Sequence, residues 1–277
     1  MNRIAAIKRV ILARVESMLA FATQVARQAG DWLQKRFSLR GSRASLKSDR
    51  TVVTESDSLA DDMIAQAIHE RFPEDALLSE ELQPFYSGEP SSRVWVIDPL
   101  DGTVNFSLGL PIWGISIACL VEGFPEIGVL YFPALGELYT CQRGKGAFFN
   151  GEALHLPLTE PNQPVSFFSC CSRTHRRYQV SVRYKTRILG SAAYTLCLVA
   201  RGAAILGFEA TPKIWDIAGG WLLVTEAGGV IETLDGSQPF PLTKGMDYSQ
   251  LSYPTLSAAT PEVLAQARTQ IVPKSSH

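Results

Sequence analysis

The chain has 277 residues, 46% of them hydrophobic and 19% charged, enough to bury a sizeable core as one compact domain or two tightly joined halves. Its formal net charge of -1, from 26 Lys plus Arg against 27 Asp plus Glu, argues against a nucleic-acid polymer as partner. Five cysteines without a CxxC pair and four scattered histidines argue against a disulfide scaffold or a zinc site, and no apolar stretch reaches the ~18 residues of a membrane span, so no membrane partner and a cytoplasmic location are expected.

Residues 4–37 carry an apolar stripe of Ile11, Val15, Met18, Ala22, Val25, Ala29 and Trp32, which predicts one long helix. Residues 38–50 are polar and basic and read as a loop, either a solvated connection or a lid near a charged site. Asp57 opens a second expected helix, as N-cap with Asp61 in the first turn, and Pro73 stops it after Phe72. A short strand at 76–78 delivers Glu80 and Glu81. From Arg93 the period falls to two, predicting strands at 94–97, 112–121, 127–132 and 138–141, then a turn at Asn150-Gly151. A linker is expected at 159–164. Beyond it come a strand at 165–169, a basic exposed helix at 175–183, a helix at 191–199 and a strand at 203–208. A helix at 214–227 closes on Gly228-Gly229; strands at 230–233 and 251–258 and a helix at 261–271 complete the chain. The fold class expected is α+β, with an N-terminal half at 1–160 and a C-terminal half at 161–277.

The most informative segment is Trp95-Val96-Ile97-Asp98-Pro99-Leu100-Asp101-Gly102-Thr103-Val104-Asn105-Phe106. An apolar strand runs into Asp98, turns through Pro99 and reaches Asp101. Two carboxylates and the Leu100 carbonyl are oxygen donors suited to a hard cation such as Mg2+. The bland alternative is an Asx-type turn. Glu80 and Glu81 are either surface acids or further donors. Asp216 enters an apolar helix after Trp215, either as its cap or as a ligand on a rigid helix start.

The stretches Trp95 to Phe106 and Trp215 to Gly229 resemble the two signatures of the inositol monophosphatase family. Gly190-Ser191-Ala192-Ala193 and Cys197-Leu198-Val199-Ala200 are similar to it as well, and the likeness runs from Lys47 to the last helix. The resemblance implies a layered α-β-α-β-α sandwich, a homodimer and lithium sensitivity. It implies two or three Mg2+ ions per site, with Mn2+ as a substitute, held by Glu80, Asp98, the Leu100 carbonyl, Asp101 and Asp216. Thr103 and Asp57 match the pair that activates the attacking water, with Glu80 beside them. Gly102 and Thr103 match the segment that contacts phosphate, Glu209 the residue that binds substrate hydroxyls, and Lys47 the mobile loop.

The resemblance implies hydrolysis of a small phosphorylated polyol or nucleotide, inositol 1-phosphate first. Several details favour other members. Leu108 stands where inositol enzymes often carry a basic residue. Ser172-Arg173-Thr174-His175 resembles the 3'(2'),5'-bisphosphate nucleotidases, although Tyr194 replaces a lysine expected there. Glu209 to Lys213 resembles histidinol phosphatases, and fructose-1,6-bisphosphatase activity is a further expectation. Ser191, Ala192 and Arg173 are the remaining expected substrate contacts, with Arg173 to Arg177 facing either a second anionic group or solvent. A noncatalytic cation- or sugar-phosphate-binding scaffold is the alternative from another class.

Overall fold

The apolar stripe at the start of the chain forms helix α1 (Arg3–Arg36) in the computed structural model, which describes residues 3–37, 45–46, 52–88, 93–156 and 166–274. Lys47 and the expected linker at 159–164 lie outside the described residues. Within the expected loop, β1 (Ser45–Leu46) pairs antiparallel with β2 (Val52–Val53). Helix α2 (Glu55–Arg71) starts two residues earlier than the sequence predicts. Thr54 is its N-cap, and Asp57 sits in the third helical position, where its carboxylate accepts the Thr54 N–H at 2.8 Å. This is one half of a capping box, a Thr-x-x-Asp version of a common start signal.

Seven strands build the larger sheet. In chain order they are β3 (Ala76–Ser79), then, after a two-residue β4 (Phe85–Tyr86) that pairs elsewhere, β5 (Val94–Asp101). Following a short helix α3 (Thr103–Leu108) come β6 (Gly114–Val121), β7 (Phe124–Phe132), β8 (Glu137–Gln142), β9 (Gly146–Phe149) and β10 (Glu152–Leu154). Their order is β10-β9-β8-β7-β6-β5-β3, with β3 parallel to β5 and the rest antiparallel. The Asn150-Gly151 turn joins β9 to β10, both residues having positive φ.

The second half opens with β11 (Phe167–Cys170) and a single turn α4 (Thr174–Arg177). The basic helix expected over 175–183 does not form: β12 (Tyr178–Val180) follows at once, then β13 (Lys185–Arg187). Tyr178, Val180, Val182 and Tyr184 alternate with polar residues and pack onto one apolar cluster, a period of two that outweighs the helical look of the basic run. Helix α5 (Ala192–Ala200), β14 (Ala204–Glu209), α6 (Ile214–Glu226) and β15 (Val230–Thr233) come next. A two-residue β16 (Met246–Asp247) pairs with β4, and Pro254 precedes a strand shorter than expected, β17 (Thr255–Ala258). Helix α7 (Pro261–Gln270), with Thr260 as N-cap, leads into β18 (Ile271–Pro273) against β12. The smaller sheet runs β13-β11-β14-β17-β15.

Burial explains the layering. Trp95 and Ile97 of β5 join the cluster under α1 and α2, while Val94 and Val96 face α5 and α6. Both faces of the larger sheet are therefore covered. Helices α5 and α6 lie between it and the smaller sheet, whose outer face is closed by α7. The result is the α-β-α-β-α sandwich. Gly220 permits the α5–α6 crossing, because a Cβ there would stand 2.5 Å from Leu196 Cδ1. Among the described residues, no helix is long and apolar enough to cross a membrane.

Candidate metal centre and substrate cleft

The end of β5 departs from a regular ladder. Asp98 lies opposite Ser116 and Asp101 opposite Gly114, so one extra residue is accommodated on β5. Pro99, which lacks an N–H, sits in this bulge. Asp98 Oδ1 accepts the Leu100 N–H at 3.0 Å, which is the Asx-type turn. Gly102 then takes φ +88°, and any Cβ there would lie 2.8 Å from the Ile112 carbonyl oxygen. The bend sets Thr103 at the start of α3, with its Oγ1 2.8 Å from Asp57 Oδ1 and 3.0 Å from the Leu100 carbonyl oxygen.

Glu80 leaves the end of β3, and its N–H bonds the Ile97 carbonyl at 3.2 Å, which brings it alongside β5. Asp216 comes from the first turn of α6, where its Oδ2 accepts the Lys213 N–H at 2.7 Å. One carboxylate oxygen from each of Glu80, Asp98 and Asp216 lies within 4.8 Å of the others. Asp98 and Asp216 each use one hydrogen bond to fix the local turn or helix start, while the carboxylate remains part of a converging set. An all-oxygen donor set of three acids fits a hard divalent cation such as Mg2+ and does not fit a thiol- or imidazole-seeking metal.

The charges show what this arrangement costs without a cation. Burial, then the charges of Glu80, Asp101 and Asp216, push the Asp98 carboxyl well above its ordinary range, against the Leu100 N–H. Burial and then Asp216 push Asp101 up to about 7. Burial raises Asp216 to about 6, opposed chiefly by the Lys213 N–H. Desolvating carboxylates costs several kcal/mol each, more than one neutral hydrogen bond, at about 1 kcal/mol, can offset. Divalent charge at this point removes the mutual repulsion.

Asp101 has a second employment. Its Oδ2 accepts the Ser191 hydroxyl and the Ala193 N–H, and its Oδ1 accepts the Ala192 N–H at 3.2 Å. It caps α5 from the other half of the chain. Asp101 is not among the three converging acids, although its charge reaches Asp98. Ser191 and Ala192 turn these donors to Asp101 and also border a cavity of about 550 Å3. That cavity ends at Asp216 and is walled by Arg173, Glu209, Leu110, Ile188 and Pro212. Arg173 Nη1 donates to Thr211 Oγ1 at 2.9 Å. Glu209, buried on β14, is pushed up to about 8 by desolvation, against Thr195, with Asp101 and Asp216 adding to the rise.

Two residues to which the sequence reading gives no role hold the site together. Thr54 gives Asp57 Oδ2 both its N–H and its hydroxyl, and its place three residues before an acid was a readable cap signal. Asn105, buried on α3, donates to the carbonyls of Ile112 and Leu189, each at 2.7 Å. Its Leu189 partner is 84 residues away, and nothing local in the sequence marks it.

The model of the inositol monophosphatase family matches residues 14–272. The Nus factor SuhB of Pasteurella multocida is 34% identical over 92% of this chain and 96% of its own length. A histidinol-phosphatase of Chlorobaculum parvum is 35% identical, with 79% of this chain and 87% of that one covered. Among solved structures, an IMPase of Thermotoga maritima superposes with a TM-score of 0.74 at 29% identity, over 91% of this chain and 97% of that one. A converging acid cluster, the layered fold and this end-to-end likeness agree, and the chain belongs to the inositol monophosphatase family of metal-dependent phosphatases.

Proposed function

We propose that this protein hydrolyses a small phosphorylated polyol, with inositol 1-phosphate as first substrate, using Mg2+ held by Glu80, Asp98 and Asp216. Asp101 and the Leu100 carbonyl complete the donor set. The observation that carries this reading is the convergence of three acids from separate segments, one of which, Asp216, also lines the cavity. When bound, Mg2+ supplies Lewis-acid polarisation of the phosphoryl group and neutralises its charge.

The chain's own residues handle the proton. Asp57 Oδ1 accepts the Thr103 hydroxyl, so Thr103 can take a proton from water as its own proton passes to Asp57. Thr54 holds the other oxygen of Asp57, so the pair is fixed in orientation before substrate arrives. Neither a cysteine nor a histidine nucleophile is needed in this scheme; the five cysteines are free, and Cys141 and Cys197 are buried. Glu209 stands on the cavity wall where hydroxyls of the alcohol can reach it.

Arg173 favours a second reading. A guanidinium on the same wall suits a substrate with another anionic group, as in a bisphosphate. Curated proteins 33–35% identical to this chain carry the names histidinol-phosphatase, inositol-1-monophosphatase and fructose-1,6-bisphosphatase/inositol-1-monophosphatase, which keeps several alcohols in play. Phosphate release from inositol 1-phosphate, histidinol phosphate, fructose 1,6-bisphosphate and 3'-phosphoadenosine 5'-phosphate, with Mg2+ and with chelator, tests both. Release that survives chelation would sink the metal assignment. Release confined to one of the others would move the substrate.

A further inference from the structure

Helix α2 presents two buried acids one turn apart, Asp57 and Asp61, on the face turned toward the site. Asp57 fixes Thr103. Asp61 is completely buried, and its Oδ2 accepts two successive backbone N–H groups, Glu81 at 3.1 Å and Leu82 at 3.0 Å. These are the two peptide groups that follow Glu80. On the other side of Glu80, the Ser79 N–H bonds the Gln83 carbonyl at 3.0 Å, and the Ser79 hydroxyl accepts the Gln83 N–H at 3.1 Å. The chain thus makes a closed loop from 79 to 83 with Glu80 at its shoulder, and the Asp61 carboxylate is its hub.

We propose that Asp61 is a positioning residue for Glu80: by clamping the Glu81 and Leu82 amides it sets where the Glu80 carboxylate meets Asp98 and Asp216. The inference rests on reading Glu80 as a metal ligand. A role in stability alone explains it less well. Burying a carboxylate costs several kcal/mol. Burial does push the Asp61 acid upward, against the Ser79 hydroxyl first and then the two amides, and Oδ1 is buried without a hydrogen bond among the described residues. An apolar side chain with a differently closed loop would be cheaper. What the carboxylate supplies is one oxygen accepting two adjacent amides, which fixes both peptide planes after the ligand. Outer residues that orient a metal ligand are typically worth about 10- to 100-fold in affinity.

The test compares Asp61→Ala, which deletes the hub, with Asp61→Asn, which keeps one accepting oxygen. Mn2+ binding to the substrate-free protein is followed by the electron-spin-resonance signal of free Mn2+, and amide exchange at Glu81 and Leu82 is measured without metal. Asp61→Ala is expected to weaken Mn2+ affinity by about 10-fold and to speed exchange at both amides, while Asp61→Asn stays within about 3-fold of the parent. Leu82→Pro removes one clamp donor at a half-exposed position and serves if the alanine variant does not fold; about a 3-fold loss is expected. A purely structural role would lower the melting temperature and leave Mn2+ affinity of the folded protein unchanged, which would overturn the inference. So would equal losses in the asparagine and alanine variants. Glu80→Gln is the control. If it leaves affinity unchanged, Glu80 is not a ligand and both readings fall; if it weakens binding while the folded Asp61 and Leu82 variants do not, only the clamp falls.

Discussion

The two ends of the cleft are built in opposite ways. At the acidic end, Asp98, Asp216 and Asp57 each accept a hydrogen bond from a residue within three positions in sequence, so each site acid is also a cap or turn former. At the other end, Arg173 is held by Thr211, 38 positions away, and Asn105 reaches Leu189, 84 positions away. Local anchoring makes the acidic end stiff and tolerant of change elsewhere in the chain. Long-range anchoring lets the recognition end vary with loop sequence while the chemistry stays put. Each prediction below strikes one end and asks whether the other responds.

The largest effect is expected at Asp98. Asp98→Asn keeps the oxygen that accepts the Leu100 N–H but removes a charge and a ligand oxygen. The value of kcat/KM at moderate Mg2+ should fall by roughly 1000-fold, beyond the 10- to 100-fold cost of merely reorienting a ligand. Thermal unfolding without metal should show the opposite sign, since one buried like charge is gone. Near-normal turnover would remove Asp98 from the centre. Thr103→Val comes next. It preserves shape, deletes the hydroxyl that Asp57 accepts, and should lower kcat by about 100-fold with KM little changed. A loss confined to KM would assign Thr103 to binding instead.

Most of this acidic end was legible in the sequence. A strand running into Asp-Pro-Leu-Asp-Gly-Thr encodes its own turn, and Gly102 encodes the left-handed residue that ends it. The family resemblance joined segments that composition could not. The layered sandwich came from the resemblance as well, and the apolar runs of β5 and β6, buried on both faces, agree with it. What sequence could not supply was contact across distance: the Ser191–Asp101 tie, the Asn105 tether and the Asp61 clamp each pair residues 20 or more positions apart. The stretch at 175–183 misled for a different reason. His175, Arg176, Arg177 and Arg183 look like a solvated helix face, while the alternation of Tyr178, Val180, Val182 and Tyr184 is what packs.

The acidic end also predicts how stability depends on pH. The folded, metal-free protein holds Asp216 near 6 and Asp101 near 7, and it raises Asp98 well above the ordinary carboxyl value of 3.8. The folded state therefore binds more protons than the unfolded state between roughly pH 4 and 7, and stability falls as pH rises through that window. Mg2+ binds the ionised acids and should reverse the trend. At pH 8 and about 100 times its dissociation constant it adds about 2.7 kcal/mol, or roughly 5–10 °C of melting temperature for a chain of this size. At pH 5 protons compete and the gap should shrink. Scanning calorimetry with and without Mg2+ at both values checks it, and a gap that is equal at both would mean the acids do not titrate as a cluster.

The smallest expected effect falls at the recognition end and decides between substrates. Arg173→Ala removes a guanidinium that lies on the cavity wall and donates to Thr211. If the alcohol is a neutral polyol, KM for inositol 1-phosphate should move by less than about 2-fold and kcat not at all. If the natural substrate carries a second phosphate, KM for that compound should rise by about 10-fold, the loss of one charge-assisted contact at about 1.4 kcal/mol. Glu209→Gln gives the complementary reading, because Gln keeps an accepting oxygen but brings an NH2 donor in place of a carboxyl. A selective rise of about 5-fold in KM for polyol phosphates, with bisphosphates unaffected, would place the alcohol's hydroxyls against β14. Equal changes for every substrate in both variants would mean that this wall shapes the cavity without reading what fills it.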